Sequence, residues 1–399
     1  MPAGTTWLSP FLKLVVMMMF RQCLAIMRRE IFYMWRDKGL RNILLLGPVV
    51  GLLLFSAIYS AGVLKNIPTV IVDLDHSRTS RELIKNLNQA EYLQVTGYPQ
   101  SYQEAQGLVA RGQAVVGVVI PQDFGRDVLL NRPTRIYTMI DGSNMIYATN
   151  ASSAVLTVTK TISAQAGVKA LIARGVDPSQ AAHAYQTIEL KEEGWFNPTF
   201  NYAYFLVLGL IMNIWQQCCT MAACMNIIGE TRAKSWLQLK AAGISKTRLF
   251  VSKSVVHISV FMAIALLLYL ISYYILKLPL QCSFGSLMLF TLAFVVALHS
   301  VGTLASSLAL NAVDATRFGM IIALTSFVLS GFTWPLEAMP GFLSHLVWIL
   351  PQTWFFQGLN YLSFKTPGPG FISSYGMHML LIAFICYAAA AVATAWRER

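Results

Sequence analysis

The sequence predicts an α-helical polytopic membrane protein: six transmembrane helices with an α/β external (periplasmic) domain inserted after the first. Three observations carry that prediction. Of the 399 residues, 56% are hydrophobic and 12% are charged, whereas soluble domains carry roughly 25% charge. The apolar residues gather in six runs, each close to the about 20 residues a helix needs to cross about 30 Å of hydrocarbon. Finally, the net charge of +12 is unevenly placed. Between Lys65 and Trp195, 12 basic residues balance 12 acidic ones; the excess sits before residue 42, between Arg232 and Lys253, and at Arg397 and Arg399. Each of those segments flanks an apolar run, the positive-inside pattern of a multispanning protein. Nucleic-acid binding is excluded by the same placement, because the one soluble-looking region is neutral.

Residues 1–42 hold Arg21, Arg28, Arg29, Arg36, Lys38 and Arg41 among Phe, Met and Trp. That composition predicts an amphipathic helix lying on the cytoplasmic leaflet. A cleaved signal peptide does not fit, because the apolar run begins too late and no small-residue cleavage site follows it. Residues 43–64 form the first transmembrane run, in which Gly47 and Gly51 make a GxxxG spacing suited to close helix packing.

Residues 65–198 read as a domain of their own. Ile67 to Leu74 is β-branched and bounded by Asp75, His76 and Ser77, and Thr79 to Ala90 has helical spacing. Tyr92 to Thr96, Ala114 to Ile120 and Arg135 to Ile140 are strand-like, separated by a helical stretch from Ser101 to Arg111 and a short helix near Arg126. Alternating strands and helices predict a small α/β or α+β domain. Val155, Val158 and Ile162 line one side of Met145 to Arg174, a long helix that returns the chain to the membrane.

Residues 199–399 supply the other five runs: Tyr202 to Ile227, Val255 to Leu276, Phe284 to Leu308, Phe318 to Trp334 and Ile372 to Ala395. The stretch 340–363 is aromatic but broken by Pro351, and a full crossing there would put the C-terminus on the wrong side. An outer re-entrant hairpin is expected instead. The loop 229–253 carries Trp236, Leu237, Leu239 and Ile244 at helical spacing among basic residues. It reads either as a solvated loop against lipid headgroups or as a short helix that docks on a soluble partner.

Catalysis finds no support. No GxxxxGK[ST] loop occurs; Gly243 to Thr247 (GISKT) lacks the earlier glycine and the preceding strand. GxSxG and HExxH are absent, the six histidines are scattered, and no CxxC or Cys/His spacing suggests zinc. Cys218 and Cys219 read as small packing residues. No catalytic residue, metal ligand or cofactor of this chain is therefore expected. What stands out is polarity inside apolar helices. Asn213, Gln216 and Gln217 share one face at i, i+3 and i+4, and His299 and Thr303 begin a similar stripe with Ser306 and Ser307. Such residues either hold helices together or line a translocation path, with the first reading slightly favoured.

At three segments the chain resembles the permease subunits of ABC-2 type ATP-binding-cassette exporters, in the multidrug-type subfamily with a large external domain after the first helix. IPTVIVDLDHSRTSREL (Ile67 to Leu83) is similar to that domain's opening strand, acidic turn and helix. Glu230 to Ile244 resembles the coupling element, with Glu230, Ser235, Gln238, Leu239 and Ile244 at matching places and Trp236 among them; Lys234, Leu237 and Gly243 stand where Gly, Glu and Pro are usual. LSGFTWPLEAMP (Leu329 to Pro340) with LPQTWF (Leu350 to Phe355) closely resembles the fifth-helix end and outer hairpin. On that resemblance Trp334, Pro335, Glu337, Pro351 and Trp354 form an outer gate.

The resemblance implies outward movement of an amphipathic or hydrophobic substrate, driven by two separate ATPase subunits that hold ATP and Mg. It also implies a second permease, identical or a sister, together with a membrane-fusion adaptor and an outer-membrane channel. The setting implied is the bacterial inner membrane, with both termini cytoplasmic. Two other classes compete. A membrane-anchored receptor with an external ligand-binding domain predicts one or two anchoring helices and a signalling domain. A membrane-embedded transferase needs an acid or His constellation near one face, whereas Asp314 and Glu337 are isolated.

Overall fold

The computed structural model describes residues 10–60, 62, 64–185, 195–197, 201–232 and 235–396. Pro198, Lys234, Arg397 and Arg399 lie outside the described residues. The chain divides into two compact units, Met1–Ser60 with Trp195–Arg399, and Ala61–Gly194; residues 65–198 were the expected extent of the second.

Helix α1 (Pro10–Arg36) opens the first unit and α2 (Lys38–Ile58) follows after one residue. Asp37 makes that break. Its extended backbone leaves the helix, and its side chain caps the next one by accepting from the Leu40 N–H at 3.0 Å. The first apolar helix thus starts at Lys38 rather than at residue 43 and ends at Ile58.

The second unit runs β1 (Ile67–Asp73), α3 (Arg78–Gln89), β2 (Leu93–Gly97), α4 (Tyr102–Ala110), β3 (Val116–Ile120), α5 (Phe124–Leu129), β4 (Tyr137–Ile140), α6 (Met145–Ala173) and α7 (Pro178–Tyr185). Its sheet has the order β2-β1-β3-β4, with β1 parallel to β2 and β3, and β3 antiparallel to β4. Residues on β1 and β3 are buried on both faces, as expected where helices cover both sides of a parallel sheet. Ile67, Ile71, Leu83, Leu87, Phe124 and Val155 form a core under α3, α5 and α6; Val70, Val72, Ala105 and Val119 form another under α4. The acidic turn after β1 is architectural. Asp73 accepts from the N–H groups of Asp75 and His76 and from Ser80 Oγ, and Asp75 accepts from the Gly125 N–H at 2.9 Å.

The chain then continues through α8 (Tyr202–Cys224), α9 (Ile228–Arg232), α10 (Trp236–Ala241) and α11 (Lys246–Leu270), which ends in a π turn from Ile271 to Ile275. After these come α12 (Phe284–Leu308), α13 (Ala312–Leu329), α14 (Gly341–Leu346), α15 (Pro351–Phe364) and α16 (Pro369–Trp396). Among the described residues six helices are long and apolar enough to span a membrane: α2, α8, α11 with its π turn, α12, α13 and α16. Their shared core gathers Trp215, Phe261, Phe294 and Phe355, with Phe294 and Phe355 stacked at 3.9 Å between centroids. The GxxxG spacing performs the close packing expected of it. A Cβ on Gly47 would stand 2.6 Å from Cys218 Sγ, and one on Gly51 would meet Ile214 at 3.1 Å, so α2 and α8 lie nearly backbone to backbone.

Two further boundaries correct the sequence reading. The fifth apolar helix occupies Ala312–Leu329, not Phe318 to Trp334, because Gly331 takes φ 78° and leaves the helix there. The third begins at Lys246, so Lys246 to Lys253 of the loop expected over 229–253 are helical, and the described residues before them form α9, α10 and short turns.

Candidate functional site

The site at the end of the bundle begins with a turn after α8. Asn226 is fully buried; its Nδ2 donates to Thr303 Oγ1 at 3.2 Å, while Ser306 Oγ accepts from the Ile227 and Ile228 N–H groups at 3.0 Å each. That anchoring aims Glu230, 3% exposed, into the protein. There it meets Arg29 of α1, Ser235 Oγ, and Lys253 Nζ of α11 at 2.9 Å. Lys253 also donates to the Asn226 carbonyl at 2.8 Å and lies 3.5 Å from Glu30 Oε2; Glu30 Oε1 is 3.0 Å from His257 Nε2. Arg29 and Lys253 balance the two carboxylates.

Burial pushes the carboxyls of Glu30 and Glu230 up, but their partners win. The His257 hydrogen bond and the Lys253 charge hold Glu30 below its ordinary value, and Lys253, Ser235 and Arg29 do the same for Glu230. The cluster ties three elements together, since α1 faces α11 through Ile26, Glu30 and Met34, all buried and one turn apart.

Helix α10 rides on this anchor. Leu239 packs with Ile26 and Leu249, flanked by Trp236 and Ile244. Trp236 lies 6.1 Å from the Phe250 ring and 5.8 Å from Lys246 Nζ. Gly243, at φ 66°, ends the helix, and Ser245 caps α11 by accepting from the Arg248 N–H. Of the expected coupling residues, Glu230, Ser235 and Leu239 are buried, Trp236 and Ile244 half-buried, and Gln238 exposed. Leu237, read from sequence as a departure, is 80% exposed. The outward face is therefore Leu237, Gln238 and Lys240, with Glu230 facing inward.

The polar residues of α8 and α12 sit inside the chain's own helix bundle. Gln216 Nε2 donates to Asn213 Oδ1 at 3.2 Å and to the Ala323 carbonyl of α13 at 3.0 Å, and Gln217 Nε2 donates to Asn213 at 3.1 Å. His299 Nδ1 is 2.8 Å from the Tyr387 hydroxyl of α16 and 3.4 Å from Thr303 Oγ1. Gln216 and His299 are fully buried; Thr303 also borders a largely apolar groove of about 470 Å³ between α11 and α16. These bonds bridge α8 to α13 and α12 to α16.

At the far end, α14 and α15 form a bent pair of short helices over the expected hairpin. Trp334, Pro335 and Glu337 are exposed on the turn before it. Pro351 is buried as the first residue of α15, and half-buried Trp354 donates to the Trp348 carbonyl and stacks on His378 at 4.1 Å. Gln352 Nε2 reaches Gln216 Oε1 at 3.4 Å, joining the hairpin to the polar stripe.

Sequence reading missed Arg29, Glu30, Lys253, His257 and Gln352. A signal did exist for two of them: Lys253 and His257 stand at i and i+4 on an apolar helix, where charge needs a partner.

Six helices long and apolar enough to span a membrane, with a small sheet inserted after the first, define a multi-pass membrane protein, and sequence comparison adds that it is a transport protein. The profile described as ABC-2 family transporter protein matches residues 38–393. The chain belongs to that family and is a permease subunit of an ATP-binding-cassette exporter, a class that works with a separate cassette subunit. It is 25% identical over 336 residues to the probable multidrug ABC transporter permease YbhR of Escherichia coli K12, covering 84% of this chain and 87% of that one. Similarity to probable multidrug ABC transporter permease YbhS of the same strain is 26% over 64% and 67% of the two chains. For the inner membrane transport permease YhhJ of the same strain it is 24% over 82% and 84%. These likenesses lend no support to the receptor alternative.

Proposed function

We propose that this permease exports amphipathic or hydrophobic compounds, and that α10 receives the force of ATP hydrolysis from a cassette subunit. One observation carries the reading: α10 presents Leu237 and Gln238 outward while Leu239 and the Glu230–Lys253–Glu30 cluster fix it to α1 and α11. A push on the exposed face reaches a membrane helix through a buried ionic tie rather than through a loop. The names of the multidrug relatives support the substrate class. The absence of a phosphate loop supports dependence on a partner for ATP and Mg.

In this reading α1, α9, α10 and both termini face the cytoplasm and residues 61–194 lie outside, as the basic residues flanking the apolar helices favour. A second permease completes the path, and a membrane-fusion adaptor with an outer-membrane channel continues it. Gln216 and His299, fully buried and bonded across helices, act as packing. The exposed Trp334, Pro335 and Glu337 belong to an outer gate.

Inverted vesicles holding the permease and its cassette partner should accumulate a lipophilic fluorescent dye on ATP addition. No ATP-dependent uptake of any amphiphilic dye would refute export. In the same vesicles Gln216→Leu should lower the amount of folded permease while leaving transport per folded molecule unchanged.

A further inference from the structure

The stretch Lys65 to Trp195 is neutral overall, yet one face of the compact unit is not. On α3, Arg78, Arg81 and Lys85 stand at i, i+3 and i+7, a single exposed stripe. They line a groove of about 860 Å³ whose other wall is α6, which contributes Ile162, Ala166 and Lys169. Among the described residues lining the groove the one acid is Glu82, 3.8 Å from Lys169 Nζ. Four cations against one carboxylate leave the rim strongly positive.

The interior of the groove has a different character. Val128, Ile162 and Ala166 also line an adjoining cavity of about 350 Å³, whose floor is Leu83 and Phe124 and whose far lip carries Arg132. Leu83 is fully buried and Phe124 is 3% exposed, so the floor is part of the domain core and not a surface accident. The two volumes fall in the range of small-molecule sites. A cationic rim over an apolar slot has no donor set for a metal and no use for a cation.

We propose that this groove binds an anionic amphiphile, a small molecule with one carboxylate or phosphate head and one apolar chain. The chain lies in the slot under Val128 and Ile162. The head meets Arg81, Lys85 and Lys169, where each hydrogen bond is charge-assisted. Binding in this groove depends neither on transport nor on which side of the membrane the unit occupies, so a binding readout tests it separately from export.

The full-length protein in nanodiscs of zwitterionic lipid is exposed to a diazirine-bearing hexadecanoate, irradiated and mapped by peptide mass spectrometry. Labelling is expected in segments 78–85, 128–136 and 159–170, suppressed by excess unlabelled hexadecanoate and weak with the neutral diazirine hexadecanol. Arg81→Gln with Lys85→Gln, both exposed and outside the core, should reduce labelling by about five-fold. Ala166→Trp should abolish it by filling the slot, while far-ultraviolet dichroism stays that of the parent. Equal labelling by the alcohol, or labelling indifferent to these variants, would overturn the proposal. Groove labelling by a diazirine phosphatidylglycerol placed in the nanodisc would assign the face to the leaflet instead. Displacement of hexadecanoate by nothing except an acidic peptide would assign it to a protein. Either result refutes a small-molecule site.

Discussion

An ammonium group in an apolar helix is costly unless partners meet it, and Lys253 meets two carboxylates and a carbonyl. Lys253→Met removes the shared partner of Glu30 and Glu230, leaving two buried acids underpaired, and should destabilise the purified permease by about 3–5 kcal/mol in chemical unfolding. A loss under about 0.5 kcal/mol would mean that the cluster is solvated. The acids also fix a pH dependence. Both titrate below the ordinary value of 4.5, so their stabilisation is complete above that pH and is lost as pH falls through the lowered folded values. The unfolding midpoint should hold level near neutrality and fall in acid, less steeply in Glu30→Gln. Glu230 and Ser235 were visible in the sequence and the cluster's other members were not, because Arg29 and Glu30 lie about two hundred positions away in the chain. Lys253 was assigned to a loop because the apolar run starts only at Val255.

At the scale of one helix, α10 separates two leucines of identical hydropathy. Leu237 is 80% exposed and Leu239 is 8% exposed, held by Ile26 of α1 and Leu249 of α11. Leu237→Asp should leave unfolding unchanged and weaken cassette binding about ten-fold in a pull-down titration, the effect of losing an apolar anchor from an interface. Leu239→Asp should act the other way, lowering stability first. Equal cassette affinity in Leu237→Asp and parent would remove this face from the interface. Spacing alone left a solvated loop and a short helix both open and could not say which side turned inward, since the deciding neighbour lies on another element. By contrast, the four strands and the helices between them were legible nearly to their ends, because short β-branched runs and capping residues such as Ser77 and Ser101 are local signals. The end of α13 was misread because Phe332 and Trp334 continue the apolar run past the Gly331 turn.

For the whole molecule, the proposed topology, with the neutral unit outside and the basic flanks inside, can be probed without a structure. A cysteine placed at exposed Gln100 should react with an impermeant maleimide from outside the inner membrane, in a background where the native cysteines are replaced. Reaction only after the cytoplasm is opened would invert the arrangement. The six spans were countable from composition. Their assembly was not, because close approaches such as Gly47 to Cys218 and bonds such as Gln216 to Ala323 depend on which helices become neighbours.

The central claim is that this chain converts a partner's ATP hydrolysis into movement through α10 and its buried ionic anchor. ATP hydrolysis in proteoliposomes tests it most directly, comparing permease alone, cassette subunit alone, both together, and both with Leu237→Asp. The account predicts background hydrolysis by the permease alone, substrate-stimulated hydrolysis when both are present, and loss of that stimulation in the variant while the cassette's own activity persists. Hydrolysis by the permease alone, or full stimulation in the Leu237→Asp assembly, would contradict it.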